Sequence, residues 1–141
     1  MSFAWKNEYA TGIAPVDMDH RVLFNITGLL ADSIRDGTDQ GAIRTFIRQL
    51  IDYIERHFAR EEDLLRQTEY PDFEAHAKLH REIERTVRNI ARRYETDPSV
   101  VSSKELLRFL EVWLSQHIMG TDMKYVPYVV ERDHEKSVAD D

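Results

Sequence analysis

Six histidines occur in this 141-residue chain, and five of them, His20, His57, His76, His80 and His117, fall on the apolar stripes of helical segments. Their spacing carries chemistry. His57 and Glu61 are four residues apart, as are His76 and His80, and at about 100° per residue a step of four returns to nearly the same face one turn on. Each pair can therefore aim both side chains at one point in a helical core. Asp122 follows His117 by five residues, just past Gly120, where a helix can unwind and turn the carboxylate inward. His20 is the single contribution from the first helical segment.

Taken singly, each residue has a plainer explanation. A lone imidazole on an apolar stripe is more often a hydrogen-bonded core residue than a ligand. His57 and Glu61 could be a stabilising i,i+4 pair, and Asp122 a turn residue. As a set they resist that account, because burying five imidazoles and two carboxylates in one small core is very costly unless something coordinates them. Five nitrogens and two carboxylates exceed what one ion of common geometry takes, and they are too nitrogen-rich for calcium or magnesium. Zinc usually settles for four ligands. Seven suit two first-row ions bridged by carboxylates. Ferritin-type sites use Glu-x-x-His pairs instead, and the one such pair here, Glu131 to His134, reads as solvated surface in a charged tail.

The elements that must position these residues follow from the apolar period. A first helix is predicted over about 17–36, with Leu23, Phe24, Leu30 and Ile34 recurring at three and four, Asp17 or Asp19 as N-terminal cap, and Asp36-Gly37 as the stop. A second spans about 39–68, its stripe running through Phe46, Leu50, Tyr53, Ile54, His57, Glu61, Leu64 and Leu65. Tyr70-Pro71 breaks it, with Pro71 suited to the first turn of a third helix over about 72–95. That helix carries Phe73, His76, His80, Ile83, Val87 and Ile90. The fourth, about 102–120, opens on the capping-box pattern Ser102-x-x-Glu105 and carries Leu106, Leu110, Trp113, Leu114, His117 and Ile118. A shorter segment with Tyr125, Val126, Tyr128 and Val129 packs over the bundle, and residues from about 132 to 141 fray. The fold class is all-α: one up-down-up-down four-helix bundle with an N-terminal arm and a short C-terminal helix, in a single domain spanning 1–141.

Composition removes several classes of function. With no cysteine, thiolate zinc sites, iron–sulfur clusters and cysteine nucleophiles are excluded. A formal net charge of -7 argues against nucleic acid or an anionic membrane surface as partner. No segment approaches the apolar length of a membrane span, and the N-terminus lacks the pattern of a secretory signal, so cytoplasmic residence and a monomer are the expectations.

At the level of motifs the chain resembles the hemerythrin family, in particular its single-domain bacterial members. The resemblance runs through Trp5, Gly12-Ile13, Asp17-x-x-His20, His57-Phe58-x-x-Glu61-Glu62, Tyr70-Pro71, His76-x-x-x-His80, and Trp113-Leu114-x-x-His117-Ile118 with Asp122. It implies two iron ions. His76, His80 and His117 would hold one, His20 and His57 the other, with Glu61, Asp122 and a solvent-derived oxo or hydroxo group bridging them. One iron is then saturated and the other keeps an open position, so the resemblance implies reversible O2 binding for transport, storage or delivery rather than catalysis.

Reversibility needs a dry pocket. Leu114 shares a face with His117, Ile118 is its neighbour, and Trp113 and Phe58 adjoin ligands, although ordinary core packing also accounts for them. Glu62, rotated from Glu61, is expected to face solvent, and either Asp17 or Asp19 could hold a ligand imidazole from behind. Other uses of the same site stay open: a peroxidase, a scavenger of nitric oxide or peroxide, an O2 or redox sensor, and, ranked below these, iron storage. The enzyme reading is disfavoured because no buried acid–base residue beyond the ligands is evident, and the sensor reading because no output domain is evident. A transient protein recipient of O2 is also left open.

Overall fold

Pro15 sets the start of the first helix. A proline fits the first turn, where its missing N–H is not needed, and α1 runs Ala14–Asp36 rather than beginning near Asp17. The computed structural model describes residues 5–130. The charged tail, with Glu131 and His134, lies outside the described residues. Asp17 does not cap α1. Its carboxylate instead accepts from the Thr11 backbone N–H and hydroxyl, both at 2.8 Å, and from the Gly12 N–H, and so ties the N-terminal arm to the helix. Asp19 is no cap either, being buried within the second turn. The other end behaves as the sequence suggests. Gly37 takes a left-handed φ of 74° and its N–H reaches the Ile34 carbonyl, closing α1 as only glycine does without strain.

α2 spans Asp39–Gln67, α3 Phe73–Thr96 and α4 Ser103–Gln116. Pro71 lies in the turn ahead of α3, not in its first helical turn. Ser102 accepts from the Glu105 N–H and caps α4. Beyond α4 the chain makes a π-turn over His117–Thr121, a 3-10 turn over Asp122–Lys124 and a short helix, α5, over 126–130. The helices form a four-helix bundle in which α2 lies between α1 and α3 while α4 packs against α1. Among the described residues there is no strand, and no helix is long and apolar enough to cross a membrane.

Two apolar clusters divide the interior. The larger contains Leu23, Phe24, Leu50, Ile54, Phe58, Leu110, Leu114 and Ile118, and the smaller Val16, Leu65, Tyr70, Tyr125 and Val129. Along α2 the larger cluster ends at Phe58 and the smaller begins at Leu65. The layer between them contains His57 and Glu61.

Candidate metal centre

All seven candidate ligands come together in that layer, and all are buried. α1 supplies His20, α2 His57 and Glu61, α3 His76 and His80, and the segment after α4 His117 and Asp122. The last pair depends on the π-turn. On a regular α-helix, residues five apart point about 140° away from one another. A π-turn closes on i→i+5, so His117 and Asp122 share a face, and His117 Nε2 lies 3.0 Å from Asp122 Oδ1. The chain widens at Gly120 rather than ending its helix there.

The donor atoms form two groups. Glu61, His76, His80 and His117 each offer an atom to one, and His20, His57, Glu61 and Asp122 to the other, all within 4.8 Å of one another in each group. Both carboxylates divide their oxygens between the groups. Glu61 Oε1 is 2.7 Å from His76 Nε2 and 2.9 Å from His80 Nε2, while Oε2 is 3.5 Å from His57 Nε2 and 3.8 Å from His20 Nε2. Asp122 Oδ1 faces His76 and His117, at 3.3 and 3.0 Å, and Oδ2 faces His20 at 3.0 Å.

One of these approaches is a hydrogen bond, between His76 Nε2 and Glu61 Oε1, but most are not. The Nε2 atoms of His20, His57, His80 and His117 and both Asp122 oxygens are buried without a hydrogen-bond partner among the described residues. Such orphaned groups are costly. Donors that converge while most of them leave one another unbonded are arranged as ligands around shared points, and nitrogen-rich, cysteine-free sets with carboxylates shared between two groups fit a pair of first-row ions.

The electrostatics agree with two buried negative charges at the centre. Burial alone pulls the imidazoles down, but Asp122 and Glu61 outweigh it and hold His20 and His76 up to about 9 and His117 up to about 10. His80 goes the other way: burial, with help from His117 and His76, prevails over Glu61. Burial pushes Glu61 and Asp122 up, and the surrounding histidines nonetheless hold both below the ordinary carboxylate range.

Two residues near the site depart from the sequence-based expectations or escaped them, and a third, Asp19, lies behind a ligand imidazole as the sequence allowed for Asp17 or Asp19. Glu62 is buried, not solvated, and its carboxylate accepts from His80 Nδ1 at 3.0 Å and from Arg81. The quadrant about 100° from Glu61 is covered by α3 rather than by water. Tyr125, expected only to pack the last segment, is fully buried and its hydroxyl donates to Glu61 Oε2 at 3.0 Å. Burial, reinforced by Glu61 and Asp122, raises that phenol far above its usual value. Asp19 accepts from His57 Nδ1 at 3.1 Å, so buried acid–base groups beyond the ligands do exist.

Leu114 and Ile118 are buried beside His117, and Phe58 stacks on the His80 ring with centroids 3.8 Å apart. Trp113 meets Phe58 edge-on at 5.9 Å and also borders an outer groove with Phe109 and Val112. A separate cavity of about 210 Å³ reaches His57 and Glu61 from the surface, between Ile13, Val16, Leu64 and Arg60.

A four-helix bundle with histidines and two shared carboxylates buried toward one end of its helices is the architecture of a non-haem dimetal protein. Residues 11–129 match the family described as "Hemerythrin HHE cation binding domain", and the chain belongs to that family. It is 34% identical over 125 residues to a bacteriohemerythrin of Pseudomonas paraeruginosa, covering 89% of this chain and 80% of the relative. A myohemerythrin of Theromyzon tessulatum is 27% identical over 123 residues, with 87% and 90% coverage. A crystal structure of a hemerythrin variant with one leucine replaced by alanine superposes with a TM-score of 0.82 at 26% identity, covering 92% of this chain and 98% of that one.

Proposed function

We propose that this chain binds O2 reversibly at a pair of iron ions and serves as a carrier or store rather than as an enzyme. His76, His80 and His117 would hold one ion, His20 and His57 the other, and Glu61 and Asp122 would bridge them. The observation that carries this reading is the division of each carboxylate's two oxygens between the two histidine groups, with the facing nitrogens of His20, His57, His80 and His117 left without hydrogen-bond partners among the described residues. When bound, the iron pair supplies the electrons that O2 takes up on binding and returns on leaving.

The chain's own residues supply the rest. The His20 and His57 group has one nitrogen fewer, and a cavity from the surface comes up to that side at His57 and Glu61. Phe58, Leu114 and Ile118 wall the centre with apolar surface and exclude water. Tyr125 holds Glu61 Oε2 by a hydrogen bond. The buried Tyr125, Asp19 and Glu62 are each engaged with a ligand by such a bond, Tyr125 as donor and Asp19 and Glu62 as acceptors, which is the part of an orienting group.

The test is an optical spectrum of the iron-loaded chain, reduced under argon, exposed to O2 and swept again with argon. Visible bands that appear with O2 and vanish with argon are expected. Bands that persist as a ferric species would overturn the carrier reading, and a chain that takes up no iron would overturn the ligand set.

A further inference from the structure

We infer that Asp19 and Glu62 are positioning residues, one for each metal position, which fix the orientation and tautomer of His57 and His80 respectively. The inference rests on the ligand set of the proposed function and adds to it two carboxylates that hold no metal. Each is the chain neighbour of a ligand. Asp19 precedes His20 and Glu62 follows Glu61, so a rotation of about 100° turns the side chain from the centre toward the adjoining helix. There it meets a ligand of that helix. Asp19 of α1 lies 3.1 Å from His57 Nδ1 of α2, and Glu62 of α2 lies 3.0 Å from His80 Nδ1 of α3.

The chemistry of the contact dictates its effect. An ionised carboxylate only accepts, so Nδ1 must carry the proton and the Nε2 lone pair is left to face the centre. Partners of this kind orient metal-binding imidazoles and raise their basicity as ligands. Both carboxylates are themselves held. Asp19 accepts from Arg60 Nε and Tyr53 Oη, each at 3.0 Å, and from Arg60 Nη2; Glu62 accepts from Arg81, which also pairs with Glu84. Arg60 offsets the charge of Asp19 and fixes it in place at the edge of the core, and Arg81 does the same for Glu62 while shared with Glu84.

The two positions do not depend on this device equally. His20, the other nitrogen ligand on the Asp19 side, has a buried Nδ1 with no partner among the described residues. His57 is thus the imidazole of that pair held by a carboxylate, whereas His80 shares its position with two further histidines. Removing Asp19 is therefore expected to weaken its metal position more than removing Glu62 weakens the other.

The experiment loads the full chain with ferrous iron under argon, challenges it with a ferrous chelator, and follows iron per chain with time. In Asp19→Ala one iron is expected to leave about ten- to a hundredfold faster than in the native chain, the other little changed. Glu62→Ala is expected to release its iron faster by a smaller factor. Asp19→Asn, whose side-chain oxygen still accepts from Nδ1, is expected to fall between Asp19→Ala and native. In the cobalt-loaded protein, the exchangeable His57 N–H signal should be protected in native and Asn chains and exchange rapidly in the Ala variant. Native release rates in Asp19→Ala, a larger effect in Glu62→Ala, or an unaltered N–H signal would each overturn the inference. If Asp19→Ala does not fold, the half-exposed Arg60→Gln carries the test and should show the same single-iron loss in weaker form. None of these measurements uses O2, so a native chain that holds two irons but fails to release O2 would overturn the proposed function alone.

Discussion

His20 Nε2 lies 3.0 Å from Asp122 Oδ2, and neither atom has a hydrogen-bond partner among the described residues. Both groups are fully buried, and both aim at a common point instead of at each other. Replacing Asp122 by alanine removes the carboxylate that faces His20, His76 and His117 together. Iron bound by Asp122→Ala is expected to fall from two per chain to one or none, measured by metal analysis after gel filtration. Retention of two irons would show that Asp122 is not a bridge.

The raised imidazoles give a pH prediction. His20 and His76, held at about 9, and His117, at about 10, are charged at neutral pH when no metal is bound. A charged imidazole cannot coordinate, so metal must expel those protons. Loading ferrous iron at pH 7 in weak buffer is expected to release about three protons per chain, read by a pH-stat. A folded-state value above the unfolded one, about 6.5, contributes stability that is fully present below pH 6.5 and is lost as pH rises through 9 to 10. The metal-free chain is therefore expected to be less stable at pH 10 than at pH 6 in urea unfolding. Equal stability at the two pH values would contradict the assignment.

That the seven candidate ligands would meet in one buried layer was largely legible in the sequence, and the reasons are local. His57 with Glu61 and His76 with His80 sit on regular helix, where a step of four is enough to infer a shared face. His117 with Asp122 was found by residue type, with a departure from regular helix expected at Gly120, but not as a π-turn, which leaves no periodic signature of its own. Glu62 was misread because a helical wheel gives the angle from Glu61 and not which neighbouring helix fills that direction. Tyr125 was missed as a site residue because α5 folds back over the bundle end, and nothing in its local pattern points to Glu61, 64 residues earlier.

The π-turn makes its own prediction. Inserting one alanine between Met119, which is 46% exposed, and Gly120 rotates everything beyond it by about 100° relative to His117. Asp122 and Tyr125 would both leave the centre. Iron content is expected to fall as in Asp122→Ala, with the helical content of α1 to α4 preserved by circular dichroism. Two bound irons in the insertion variant would mean that the register at Gly120 does not set the site.

Tyr125→Phe deletes one hydroxyl and leaves the ring to fill the smaller cluster. The hydrogen bond it removes goes to an ionised Glu61, so the metal-free chain is expected to lose about 1.5–3 kcal/mol in urea unfolding. Iron should still load, because the hydroxyl faces the carboxylate and is not one of the converging donors. Loss of iron from this variant would make Tyr125 a ligand in its own right.

Leu114 tests whether the wall of the centre keeps water out. It is 1% exposed, lies one turn before His117, and belongs to the larger cluster. Leu114→Ala is expected to cost about 2–5 kcal/mol for the lost packing and the cavity left behind. A cavity beside a ligand can also admit water, so the oxygenated form is expected to decay faster to the ferric state than in the native chain. Leu110→Ala separates the two effects. Leu110 is equally buried, one turn further from His117, and its replacement should cost similar stability. Faster decay in Leu114→Ala with native decay in Leu110→Ala would place the water barrier at Leu114. Equal decay in both would mean that global loosening, and not the wall beside His117, governs the lifetime.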